Sequence, residues 1–149
     1  MAYYQCTACR DVEEIDDAIP DSCPACGATS VIDLEVQAQQ IAKANDAFRA
    51  AMISGGHPVY QGSVVCTQGV AAKGPEFVTL AQLAVAGFSD FTEDTDPHGD
   101  HSMAPVTVCG ETVWFKIDLY DESLCYGADD PLDDANTRRV LTLLFPSEY

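Results

Sequence analysis

Two CxxC pairs constrain this chain more than any other feature. Cys6-Thr7-Ala8-Cys9 and Cys23-Pro24-Ala25-Cys26 are separated by thirteen residues. Each pair sets two sulfurs on one tight turn, and two such turns supply the corners of a tetrahedral metal site. Gly27 follows the second pair, where the backbone often needs positive φ. Roughly 30 residues bury too little surface to fold alone, so a bound metal has to supply the missing stability. The spacing predicts a zinc ribbon over residues 1–32 that holds one structural Zn2+ through Cys6, Cys9, Cys23 and Cys26. Iron in a rubredoxin-like site is the chemical alternative.

The chain has seven cysteines. In a secreted protein these would suggest disulfides, whereas in a leaderless one CxxC pairs read first as metal ligands. Met1-Ala2-Tyr3-Tyr4-Gln5 lacks the basic and apolar parts of a secretory signal. No apolar run approaches the roughly 20 residues that cross a membrane. The expectation is a cytoplasmic protein with no membrane partner.

Charge is the most unusual global property, with 24 acidic residues against 7 basic ones and a formal net charge of -17. It is unevenly spread. Residues 1–35 and 90–149 are strongly acidic, while residues 36–89 are nearly neutral. The middle therefore reads as core and the flanks as solvated acidic surface. Such a surface repels nucleic acid and anionic membranes and speeds encounter with basic surfaces. The bland alternative is that acidity only aids solubility.

Leu34, Ala38, Ile41, Asn45, Phe48 and Met52 recur at intervals of three and four, which predicts a helix over 33–53 capped by Asp33. Val64 to Thr67 reads as a short buried strand, and Pro75 opens a second helix through Ala86. Val106-Thr107-Val108 and Thr112 to Ile117 flank a hairpin turn. Its second strand should present Trp114 and Lys116 on one face and Val113, Phe115 and Ile117 on the other. Residues 138–145, with Val140-Leu141-Thr142-Leu143-Leu144, read as a final helix stopped by Pro146. The predicted class is α+β: an N-terminal zinc ribbon followed by a compact acidic domain over 33–149, in which helices pack on a small antiparallel sheet.

Further stretches carry a resemblance. Asn45-Asp46-Ala47-Phe48-Arg49, Thr67-Gln68-Gly69-Val70, Phe91 to Gly99, Trp114 to Asp118, Arg138 to Thr142 and Ser147-Glu148-Tyr149 are similar to the bacterial domain of unknown function 3768 family, from about residue 41 onward. The chain departs from that family after Gly99, where members often carry an aromatic residue. The resemblance implies no established activity and transfers no catalytic residue. It does imply an accessory role among mobile elements, whose cargo members often resemble.

Other constellations carry weaker chemical signals. Nucleic-acid-binding ribbons are basic. This one encloses Asp11, Glu13, Glu14, Asp16, Asp17 and Asp21 with no lysine, so direct binding of nucleic acid is not expected. The loop with Asp94, Asp96, His98, Asp100 and His101 offers ligands for a second metal, the basis of an alternative reading as a metal-dependent hydrolase. No motif completes such a site, and the favoured reading is an acidic turn with solvated side chains. Cys66 and Cys109 read as small buried strand residues, and neither they nor Cys125 carry a nucleophile signature. Glu111, Lys116 and Asp118 lack nuclease spacing.

The functional expectation is a non-enzymatic inhibitor or adaptor that binds the basic, nucleic-acid-binding surface of a defence complex, of anti-CRISPR or antirestriction type. Carboxylates would stand in for phosphates and pair with Arg and Lys on the target. Asp90, Glu93, Asp94, Asp96 and Asp100 form one candidate patch. Asp121, Glu122, Asp129, Asp130, Asp133 and Asp134 form the other. A zinc-ribbon adaptor without mimicry is the nearer alternative.

Overall fold

The computed structural model describes residues 2–15, 18–29 and 31–149. Asp16 and Asp17, counted above among the ribbon's acids, lie outside the described residues. The chain divides into two compact units, Met1–Gln40 and Ile41–Tyr149. No helix among the described residues is long and apolar enough to cross a membrane.

The first unit is built on three short strands, β1 (Ala2–Cys6), β2 (Val12–Ile15) and β3 (Val31–Asp33). They pair antiparallel in the order β2-β1-β3. Side chains alternate along β1: Tyr4 and Cys6 are buried and Tyr3 is exposed. The Tyr4 hydroxyl donates to Glu13 at 2.8 Å, and this bond to a carboxylate pushes the Tyr4 phenol up to about 12.

Helix α1 (Leu34–Ala51) starts where expected. Asp33 Oδ1 accepts from the backbone N–H groups of Glu35 at 3.0 Å and Val36 at 3.3 Å, satisfying two amides that the first turn leaves open. A 3-10 turn over Met52–Ser54 ends it.

In the second unit β4 (Gly62–Cys66) leads to the one-turn helix α2 (Gln68–Ala71) and to α3 (Pro75–Ala86), which begins on its proline. The hairpin of β5 (Met103–Val108) and β6 (Glu111–Tyr120) follows. Its two-residue loop holds Cys109 at φ 51° and Gly110 at φ 78°, as a type I′ turn requires. Cys109 is therefore an exposed turn residue and not a buried strand residue. Val113, Phe115 and Ile117 are buried on the inner face of β6, as the alternation predicts.

The last element corrects the sequence reading. Arg138–Leu144 is not a helix but a strand, β7, in the middle of a four-stranded sheet of order β4-β7-β6-β5. The reason lies in the period. Arg139, Leu141 and Leu143 are almost fully buried, while Arg138 before them and Val140 and Thr142 between them are only partly covered. An apolar run this short fits either period until its neighbours are known. β7 pairs antiparallel with β6 and parallel with β4, so the antiparallel part of the sheet spans β5, β6 and β7.

The inner face of this sheet meets Phe48 of α1, Val70 of α2, and Phe77, Ala81 and Val85 of α3. These side chains and Val106, Val113, Phe115, Leu141 and Leu143 make one apolar core. Each large member contributes roughly 1.5–3 kcal/mol on burial.

Candidate functional site

The two CxxC turns are geometric copies of each other. Cys6 N–H donates to the Asp11 carbonyl and Cys23 N–H to the Ala28 carbonyl, at 3.0 and 2.7 Å. Arg10 N–H returns to the Cys6 carbonyl and Gly27 N–H to the Cys23 carbonyl, at 2.8 and 2.7 Å. Residues five apart close the first bond of each turn, and residues four apart close the second. The positive φ expected of Gly27 is present at 75°, and Arg10 adopts the same conformation at 64°.

These turns bring four sulfurs within 4.8 Å of one another. Cys6 and Cys26 Sγ are 3.6 Å apart, and Cys9 and Cys23 Sγ 3.7 Å. A disulfide spans only about 2.05 Å. A tetrahedron with metal–sulfur bonds of about 2.3 Å has edges of about 3.8 Å. The cluster therefore has the dimensions of a four-sulfur metal site. The first cysteine of each pair, Cys6 or Cys23, is buried, and the second, Cys9 or Cys26, faces solvent. The Cys9 backbone N–H is the main cause that holds Cys6 down to about 6, against the opposing effect of burial. The Asp11 N–H lowers Cys9, but desolvation and the facing sulfurs outweigh it and push Cys9 up to about 12. Among the described residues, no other group of histidines, cysteines and carboxylates gathers its ligand atoms in this way.

The second unit contains a polar network that the sequence did not reveal as a unit. Asn45, Arg49 and Arg139 are all buried to within 2 % of full burial. Arg139 Nε donates to Asn45 Oδ1 at 2.9 Å, and Asn45 Nδ2 donates to the Asp100 carbonyl at 2.9 Å. Arg49 donates through one terminal nitrogen to the Val85 and Phe88 carbonyls, at 2.8 and 2.9 Å, and through the other to Asp46. Asp46 also meets His101 Nδ1, its two oxygens lying 2.9 and 3.0 Å away. On the other side of the ring, His101 Nε2 stands 3.9 Å from Asp96 Oδ2. Phe91 stacks flat on the imidazole, with centroids 3.9 Å apart and planes 3° from parallel, and Arg49 lies over Phe91 at 5.1 Å. A clue was present in the sequence: Asn45 interrupts the apolar stripe of α1 at a position that has to face inward.

This geometry revises the 90–102 loop. Asp96 is buried, not solvated, and its Oδ2 accepts the His101 backbone N–H at 3.2 Å. Burial is the main cause that raises its pKa. The outward charge of the loop comes from Asp90, Glu93 and Asp94, all exposed, and Asp100 is half-buried with Oδ1 accepting from Ser102. His98 is exposed.

The second acidic loop builds a depression lined by Asp121, Glu122, Asp129, Asp130 and Asp133, with Ser123 and Asn136. Among the described residues none of these carboxylates forms an ion pair. The Ser123 hydroxyl, at 2.6 Å, leads the contacts that hold Asp121 below the usual carboxylate range. Asp134 lies nearby and acts electrostatically on the buried Arg139. Glu111 and Lys116, considered above for a nuclease site, are in separate surface ion pairs with Lys73 and Asp118.

Fold and site together define a four-cysteine ribbon followed by a two-layer α+β unit with an acidic rim. The chain belongs to the family described as protein of unknown function (DUF3768), whose model matches residues 66–148, more than half of the sequence. No curated protein and no solved structure matches it.

Proposed function

We propose that this protein is a non-enzymatic acidic binding protein, an anti-defence inhibitor that occupies the cationic, nucleic-acid-binding surface of a defence complex as a mimic of DNA. The supporting observation is the depression of the 121–136 loop, where five carboxylates line one hollow and, among the described residues, none of them forms an ion pair. Unneutralised carboxylates on a surface attract Arg and Lys and accept charge-assisted hydrogen bonds from them. The net charge of -17 extends that attraction over the whole molecule. In this reading the ribbon is structural and its metal is zinc, since four thiolates in a tetrahedron suit that ion and leave no open position for catalysis.

A second reading, a protein–protein adaptor without mimicry, draws on the ribbon itself. Tyr3 and Val12 each expose about half of their surface on β1 and β2, an apolar spot on an acidic module.

The test is capture from lysates that carry defence systems, using the tagged, metal-loaded protein with and without excess DNA. Recovery of a nucleic-acid-guided or DNA-modifying complex, lost with DNA and lost in the Asp129→Asn/Asp130→Asn/Asp133→Asn variant, supports mimicry. Recovery that persists in excess DNA and in that variant overturns it and favours the adaptor.

A further inference from the structure

The contacts of His101 go beyond what an acidic surface loop needs. Both ring nitrogens face a carboxylate, Nδ1 at 2.9 and 3.0 Å from Asp46 and Nε2 at 3.9 Å from Asp96. The two carboxylates come from different elements, Asp46 from α1 and Asp96 from the loop itself. A neutral imidazole protonated on Nδ1 still donates to Asp46, whereas imidazolium also places its positive charge opposite Asp96, at 3.9 Å an ion-pair and not a hydrogen-bond distance. The ring also lies flat on Phe91, a face that attracts a cation.

We infer that His101 is a pH-dependent latch that fastens the 90–102 loop to α1 when its imidazole is protonated and loosens it when the proton leaves. The charged groups around it favour this role. From α1 it meets Asp46, whose other ion pair is with Arg49. From its own loop it meets Asp96, and Asp100 adds negative charge beside Asp96. On the β6 side, Ser102 accepts the Ile117 N–H through its carbonyl, and the charged β6 residues Lys116 and Asp118 pair with each other. Two anions on opposite sides of one ring are held together by a cation between them and repel each other without it. His101 also holds φ 55°, in the left-handed region, and its backbone N–H donates to Asp96 there. Asn45, which donates to the Asp100 carbonyl, supplies a second tie that does not titrate. Loosening is therefore local, confined to the segment around Phe91 to His101.

The experiment is hydrogen exchange of the loop amides, 91–101, in the metal-loaded full chain at about pH 5.5 and about pH 8, corrected for intrinsic exchange. Loop protection should be roughly tenfold greater at the lower pH, the scale of one charge-assisted hydrogen bond. The His101→Gln variant keeps a donor at the site but cannot titrate, so it should lose the pH dependence while its core amides remain protected. Asp46→Asn keeps the histidine and should reduce the dependence at least threefold. Equal protection at both pH values in the unaltered protein overturns the latch. So does a pH dependence that survives His101→Gln, because another group then drives it. No partner is needed for this readout, so its outcome is independent of the function proposed above.

Discussion

Arg10 and Gly27 occupy the same position of two superimposable turns, each one residue past the second cysteine of its pair and each at positive φ, 64° and 75°. One of the two halves is thus built with the residue the conformation favours and the other is not. A non-glycine residue in the left-handed region costs roughly 1–2 kcal/mol.

Arg10→Gly should therefore stabilise the ribbon, by about 1 kcal/mol after the greater chain entropy of glycine is subtracted. Gly27→Ala should destabilise it by a similar amount. A Cβ at Gly27 meets nothing within 4 Å, so the loss is conformational and not steric. Chelator titration of the metal-loaded chain, followed by far-UV circular dichroism, reads both effects.

Removing the metal should unfold the first unit and leave the second folded. The four sulfurs come from two turns that the short β-sheet alone cannot hold together, and structural zinc contributes on the order of 10 kcal/mol to such modules. The core of the second unit contains none of the four. Amide spectra recorded before and after chelation should lose dispersion for residues of 1–33 and keep it for residues of β5, β6 and β7. Cys23→Ser should reproduce the change without chelator.

Glu148 ties the segment after β7 to α2. Its carboxylate accepts from the Phe145 N–H at 2.9 Å, the Thr67 hydroxyl at 2.7 Å and the Gly69 N–H at 3.2 Å, and the first of these leads the causes that hold its pKa below the ordinary value. A folded-state pKa below the unfolded one adds stability above the unfolded pKa, and that stability is lost as pH falls through the folded one. Glu148→Gln should lower the melting temperature at neutral pH and flatten the acid limb of its pH profile. Gly69→Ala should act in the same direction, because a Cβ there would stand 2.6 Å from the carboxylate and displace it.

Asn45 and Arg139 should be strongly coupled. Arg139 is buried with one terminal nitrogen, Nη1, lacking a partner among the described residues, and burial lowers its pKa. Asn45→Ala would leave Arg139 Nε unpaired as well, at a cost of about 2–4 kcal/mol. Arg139→Met should be milder once Asn45 is already alanine. A double-mutant cycle by urea unfolding should return a coupling energy of about 1–3 kcal/mol.

The features legible in the sequence are those whose causes lie within a few residues. Cys6, Cys9, Cys23 and Cys26 announce a metal site because each pair closes its own turn. Asp33 caps the helix that follows it, Pro75 opens α3, and the alternation through Val113, Phe115 and Ile117 marks the buried face of β6. The two acidic flanks could be read, but not how each side chain is used: Asp96 turned inward, Asp121, Asp133 and Asp134 are half-buried, and Glu122, Asp129 and Asp130 stayed exposed.

What only the tertiary structure decided depends on residues distant in the chain. Arg138–Leu144 reads as a helix from its own residues, and only the backbone pairing with β4 on one side and β6 on the other makes it a central strand. Arg49 and Arg139 read as surface charge from their type alone. Their burial is tolerable because Val85, Phe88, Asp46 and Asn45 meet them there. His101 and Asp46 stand 55 residues apart and nothing local pairs them. Local sequence specifies turns, caps and alternation because these are short-range steric and hydrogen-bonding choices. The desolvation of a charge, and the partner that compensates it, exist only once the chain has closed around both.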